Sequence, residues 1–353
     1  MGFRLKNTAK LMIVIFLAVS LVACGQNTQP ASAPDKGSQP AERTVVDMAG
    51  RTVTLPAEIK SIATFGAVGV INTFVELMGE GSKICNEMPA RFTKTNQWKY
   101  QYEFAPQLKE KPLFQDPSDE ILMEVVLKNK PDLCIAMDKT IVDNLEKQGL
   151  NVIYLSWSQL EDVKTCITLL GDALNKQDVA ADYIQYFDGM VAKAQDLTKD
   201  LTKEQRKKVL YGSVTELTQP HVIAEWWITQ AGGNSVTDDG RTANRLVYTL
   251  EDLLAWNPEV IILSNMSKKE EVLADKRIAE VSAVKNNEIY GTPTVAHVWG
   301  NRTVEQPLTI MWTINKLYPE IVSDEMIAEE IHYFYNHFFH YDLSEEQIAE
   351  IIG

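Results

Sequence analysis

Histidine, arginine and tryptophan side chains recur in the segments of this chain that follow apolar β-type runs, and together they suit a flat or chelated ligand with carboxylates. In chain order the candidates are Arg91, Trp98, Tyr100, Met137, Trp157, His221, Trp226, Trp227, Arg245, His297, Trp299 and Arg302. Aromatic faces stack on planar ligands, guanidinium groups bind oxygens in pairs, and a neutral imidazole reaches an open metal position. His297 shares one short loop with Trp299 and Arg302, and with His221 it is the expected metal contact. Trp226 and Trp227 are adjacent, so on a helix only one of them can face a ligand.

Catalysis is the weaker reading of the same residues. His221 and Glu225 have the i, i+4 spacing of a helical metal or acid/base pair. No nucleophile elbow, Gly-rich phosphate loop or dinucleotide fingerprint accompanies them, so no enzyme and no intrinsic cofactor is expected. His332, His337 and His340 fall in an aromatic-rich terminal helix and are expected to pack and cap it. Cys134 and Cys166 read as core residues, and with Cys85 they lack the spacing of a zinc site or disulfide framework. The formal net charge is −14, and removing the three cations of the leader, Arg4, Lys6 and Lys10, leaves −17. Such a surface repels nucleic acid, while a locally basic cleft can still hold an anion.

These side chains need a frame, and an internal repeat supplies it. Glu124-Val-Val-Leu-Lys-Asn-Lys-Pro131-Asp-Leu-Cys-Ile aligns without a gap with Glu251-Asp-Leu-Leu-Ala-Trp-Asn-Pro258-Glu-Val-Ile-Ile. Each copy reads as a short helix that opens on a glutamate, stops at a proline and enters a buried strand of a parallel sheet. Between the copies, residues 177–206 carry apolar side chains at helical spacing from Ala180 to Leu201 without a proline. A helix of that length would run roughly 40 Å, long enough to join two lobes. Residues 86–112 form a long excursion too aromatic to be disordered. The expected fold is α/β, two Rossmann-like lobes joined by a single long α-helix.

Residues 1–23 read as a leader: a basic start, an apolar stretch too short to span a bilayer, and Leu21-Val-Ala-Cys24. That ending has the form of a lipoprotein signal, with Cys24 as the acylated new terminus tethered to the cell membrane. Residues 24–43 are polar and read as a disordered tether. The first lobe is then assigned to residues 44–160, the inter-lobe helical segment to 161–206, and the second lobe with its terminal helices to 207–353.

In this order the features resemble a known family, the extracytoplasmic substrate-binding lipoproteins of ABC importers that serve iron-siderophore complexes, haem, cobalamin and other metal chelates. The resemblance rests on Asp47-x-x-Gly50-Arg-x-Val-x-Leu-Pro56, Pro131-Asp-Leu, Pro258-Glu-Val, Ala231-Gly-Gly-Asn234 and Leu317-Tyr-Pro-Glu320, and covers the chain from Thr44 onward. It implies a monomer that holds its ligand between two lobes with little closure. It also implies partners: a permease dimer with its ATPase subunits, onto whose arginines Glu124 and Glu251 would dock. Ferric siderophore, haem, corrinoid and nickel or cobalt chelate all remain open as ligands. Similar paired lobes occur in chelatases and metallocluster proteins, which is the remaining enzyme alternative.

Overall fold

The computed structural model describes residues 43–353 apart from Thr95, Ser158 and the side chain of Asn96, so the leader and Cys24 lie outside the described residues. Strands β1 (Arg43–Val46) and β2 (Thr52–Leu55) form a hairpin around Ala49-Gly50. Gly50 supplies the positive φ of 77° that this turn requires. The Asp47 carboxylate accepts the N–H groups of Ala49 and Arg51, and that of Tyr154 as well, which fixes the hairpin to the first lobe. Arg43, assigned to the tether, opens β1 and donates to the Ala173 carbonyl at 2.6 Å.

The first lobe is built on the parallel sheet β3 (Ile62–Phe65), β4 (Leu133–Ala136) and β5 (Val152–Tyr154), with β4 central. The second lobe contributes β6 (Lys208–Gly212), β7 (Thr218–Gln219), β8 (Asn234–Ser235), β9 (Leu246–Val247), β10 (Val260–Leu263) and β11 (Ile289–Gly291). Of these, β11-β10-β6-β8 form a parallel sheet and β7-β9 a small antiparallel ladder. β3, β4 and β10 are buried at every position, as continuous apolar runs between two helical layers should be. After the 3₁₀ turn Gly81–Lys83, Ile84 forms only an isolated parallel bridge to Ile62. Just beyond it the Asn86 amide oxygen takes the Thr64 N–H at 2.9 Å, so a side chain replaces the next rung of the ladder.

The internal repeat is a repeat in space. Helices Met123–Asn129 and Leu250–Trp256 are each 7 residues long and each feeds the central strand of its sheet. Both end on a left-handed residue before the proline, Lys130 at φ 48° and Asn257 at φ 44°. Registers agree too: Ile62 pairs with Leu133 in the first sheet as Val209 pairs with Val260 in the second.

The connecting helix is shorter than its pattern suggests and ends at Thr198 after 22 residues, about 33 Å. Beyond it the backbone runs in turns, with the Leu201 N–H on the Thr198 carbonyl, the Gln205 N–H on the Thr202 carbonyl, and Gln205 Oε1 capturing the Thr202 N–H. It packs against Gln306–Leu317, a helix buried at every one of its 12 positions. Around this helix one apolar core runs from Val45 through Phe187 and Trp227 to Ile352, binding both lobes, while each sheet keeps a smaller core on its outer side. A shared core resists hinge closure, because closure would tear apolar contacts apart. Small-angle scattering with and without bound ligand should therefore give the same radius of gyration within error; a clear contraction would contradict the shared-core account.

Candidate ligand site

The segment after β5 and the loops and helix Ile223–Gln230 of the second lobe border an open cavity of about 260 Å³. Gln159 and Leu160 line it from the first lobe, and Trp226, Arg241 and Arg302 from the second. Trp226 presents one edge of the helix Ile223–Gln230 here and stacks on Phe187 of the connecting helix at 6.1 Å. Its neighbour Trp227 turns into the core, fully buried against Tyr211.

Arg302 is the chemical centre of the cavity. Its side chain is 5% exposed, yet its Nη1 meets only neutral groups, Asn244 Oδ1 at 3.1 Å and His221 Nε2 at 3.3 Å. Its Nε is buried with no hydrogen-bond partner among the described residues. Burial lowers its pKa from the ordinary value, Asp162 acts against that, and a guanidinium stays charged in either case.

His221 sits between two donors, the Ile223 N–H 3.4 Å from Nδ1 and Arg302 Nη1 near Nε2. Burial first, then the charge of Arg302 and the nearby His297, push His221 down to about 4, so it is neutral at pH 7. A neutral imidazole has one lone pair for those two donors, and its N–H meets no acceptor among the described residues. The group is donor-rich, and an incoming anion would supply what it lacks.

His297 is held by the loop between β11 and the buried helix. Burial pushes it down to about 4, with its bond to Val298 acting the other way. Its Nδ1 lies 3.0 Å from the Val298 carbonyl, which assigns the proton to Nδ1 and leaves the lone pair on Nε2. Glu305 holds this loop, accepting from the backbone of Ala296 at 2.9 Å and His297 at 2.7 Å, from Trp299 Nε1 at 3.0 Å, and from the Thr303 and Tyr335 hydroxyls. Burial pushes Glu305 up to about 7 while these bonds pull it down. Across the lobes Trp98 meets the His297 ring edge to face at 5.2 Å, and Gln101 Nε2 donates to the Ala296 carbonyl at 2.9 Å.

The structure thus brings Trp226 and Arg302 to one cavity, sets His221 against Arg302, and places His297, packed on Trp98, near enough to act on His221. Other candidates go elsewhere. Tyr100, 2% exposed, stacks on Phe104, and Trp299 is fully buried with its indole N–H on Glu305, so both are core residues. Their aromatic neighbours in sequence concealed this, because packing and stacking use the same side chains. Met137 and Trp157 are half-buried against the shared core, with Trp157 on Phe74 at 4.9 Å. Arg91 reaches the Gly66 carbonyl just past β3 and pairs with Asp119. Arg245 is exposed.

The His221-Glu225 pairing does not form. His221 precedes the helix, and Glu225 accepts from Arg241, Gln219 and Thr237, each at 2.9 Å. Arg241, Asn244 and Glu305 were not among the sequence candidates: they sit in aperiodic polar loops or open a helix, and no local pattern marks what they touch. The terminal histidines are structural: His332 bonds Asp342 at 2.8 Å, His337 bonds Asp182 at 2.5 Å, and His340 caps the helix Asp324–Phe339. No group of three His, Cys, Asp or Glu side chains among the described residues is placed to hold a metal ion.

Comparison with known proteins decides the family. A family model described as periplasmic binding protein matches residues 87–296. The chain belongs to the periplasmic binding protein family. A periplasmic solute binding protein from Veillonella parvula superposes with a TM-score of 0.76 at 25% identity, over 88% of this chain and 97% of that one. The molybdate-binding protein MolA of Haemophilus influenzae, solved with molybdate, superposes at 0.73 with 18% identity, over 86% of this chain and 99% of that one. In sequence the match to MolA is 28% over 94 residues, so it spans only 26% of this chain and 27% of that relative. CeuE of Helicobacter pylori, solved with Ni(II), gives 0.67 at 16% identity, over 88% of this chain and 99% of that one. Within this family the chain is an extracytoplasmic solute-binding protein.

Proposed function

We propose that this periplasmic binding protein captures a metal bound within an anionic complex, a siderophore, haem or related chelate, and delivers it to an ABC importer. The observation that carries the reading is the buried, donor-rich group of Arg302 and His221, a fixed positive charge whose Nη1 meets neutral groups and whose Nε has no hydrogen-bond partner among the described residues. Such a group binds the oxygens of a carboxylate, catecholate or oxyanion. His221 and His297 provide at most two neutral imidazoles, too few for a bare ion, so the metal would arrive with most of its coordination already filled. The similarity to MolA and CeuE, solved with molybdate and Ni(II), supports a metal-bearing cargo, and corrinoid or nickel and cobalt chelates are the alternatives within the class. The same proposal makes the protein a monomer anchored through acylated Cys24, and places Glu124 and Glu251 against the permease dimer.

Native mass spectrometry with metal analysis on protein from its own cells should find a metal with its organic or oxo ligands retained. Titration with ferric siderophores, haem, cobalamin, nickel chelates and molybdate should then single out one class. A protein that binds none of them, or only a bare metal ion, overturns the reading. Replacing His297 with alanine should weaken the selected ligand by about 1 kcal/mol or more if Nε2 completes the metal's coordination. Unchanged affinity in both His297→Ala and His221→Ala would exclude direct ligation and leave the oxygens as the sole recognition.

A further inference from the structure

The two repeats agree in residue type at four aligned positions: Glu124 with Glu251, Leu127 with Leu254, Pro131 with Pro258, and Ile135 with Ile262. Fold explains two of these. The prolines end the helices, and the isoleucines are fully buried in the central strands. It does not explain the leucines. Leu127 is 36% exposed and Leu254 is 44% exposed, and neither packs against an apolar core among the described residues. The helices bury Val126 and Leu253 instead, one position earlier. An isolated exposed leucine is ordinary, but two at one register in both lobes share no packing cause.

Spacing ties each leucine to a charge. Glu124 and Leu127, like Glu251 and Leu254, stand three residues apart and so share one helix face. Both glutamates are exposed. The chain nears each helix through a further exposed apolar residue, Leu122 at 36% in the first lobe and Val247 at 69% in the second. Each lobe thus presents the same small motif, an acidic side chain beside an apolar one, at equivalent places in its fold.

We propose that Leu127 and Leu254 are paired apolar anchors that insert into two equivalent pockets, each rimmed by basic side chains, on a two-fold symmetric permease dimer. This rests on the reading of the protein as an importer's receptor and adds to it the residues that hold the docked state. A duplicated surface on one chain fits a partner that offers the same pocket twice. Complementary charge at the glutamates sets orientation and approach, whereas apolar burial slows dissociation. Salt separates the two: the acidic contacts weaken with ionic strength and the leucine contacts persist.

The test uses the full-length receptor with the permease and ATPase complex in proteoliposomes, reading receptor affinity and receptor-stimulated ATP hydrolysis at low and high salt. Leu127→Gln and Leu254→Gln should each weaken docking about tenfold and their combination more than either, at both salt concentrations. Ligand affinity and Tm should stay as in the native protein. Normal docking of the double leucine variant, with impaired docking of Glu124→Arg plus Glu251→Arg, overturns the anchors and leaves the receptor reading in place. Normal docking of both double variants overturns the placement of this face against the permease. Loss from only one leucine overturns the paired arrangement, and a change in sedimentation with docking intact assigns the leucines to self-association instead.

Discussion

Replacing Arg302 with alanine will weaken binding of the cognate ligand by about 3 kcal/mol, on the order of a hundredfold in Kd. The size follows from what the side chain does. A charge-assisted hydrogen bond from a buried guanidinium is worth roughly 1.5 to 3 kcal/mol, and Arg302 holds an unpartnered Nε as well as Nη1, which it shares with His221 and Asn244. Alanine removes the charge from a side chain whose Nη1 hydrogen-bonds only neutral groups, Asn244 and His221. Folding should therefore survive, and a Tm near that of the native protein is the control. Lysine in the same place keeps the charge but loses the planar fork, and should fall between the two. Unchanged Kd in Arg302→Ala, measured by titration calorimetry, would remove this cavity from ligand recognition.

Reversing both exposed glutamates, Glu124→Arg with Glu251→Arg, will abolish most uptake while leaving ligand affinity and Tm nearly unchanged. Each glutamate lies in the first turn of a 7-residue helix, where the helix dipole favours it, so reversal costs about 0.3 to 1 kcal/mol locally. That local effect predicts a small loss of stability and nothing more. Docking predicts a different outcome, because like charges brought together at an interface cost several kcal/mol and slow encounter. Each single reversal should reduce uptake and ATPase stimulation, and the double reversal more so. Normal uptake by the double variant would return both residues to the helix dipole, and so would a loss of ligand binding in step with transport.

Both predictions depend on how much the chain reveals before it folds. Local patterns carried the architecture. The helix-proline-strand repeat, the apolar runs of β4 and β10 and the uninterrupted start of the connecting helix are short-range properties, and each forms an element where its sequence places it. The same patterns misjudged ends and depths. Past Thr198 the connecting helix gives way to turns, in which the Leu201 N–H goes to the Thr198 carbonyl and the Thr202 N–H to Gln205 Oε1, and apolar spacing does not encode these.

The site was legible only in part. Residue type and position after strands gave His221, Trp226, His297 and Arg302 only as four of twelve candidates, and of the twelve Trp226 and Arg302 line the cavity. Tertiary structure alone decided that Tyr100 and Trp299 are core, that Glu225 belongs to Arg241, and that Arg302 faces His221 across 81 positions of chain. Burial and pairing are properties of surfaces that meet only when two lobes close on one core. A sequence states which groups are available, while the competition between solvent and neighbours for each group is settled by the fold.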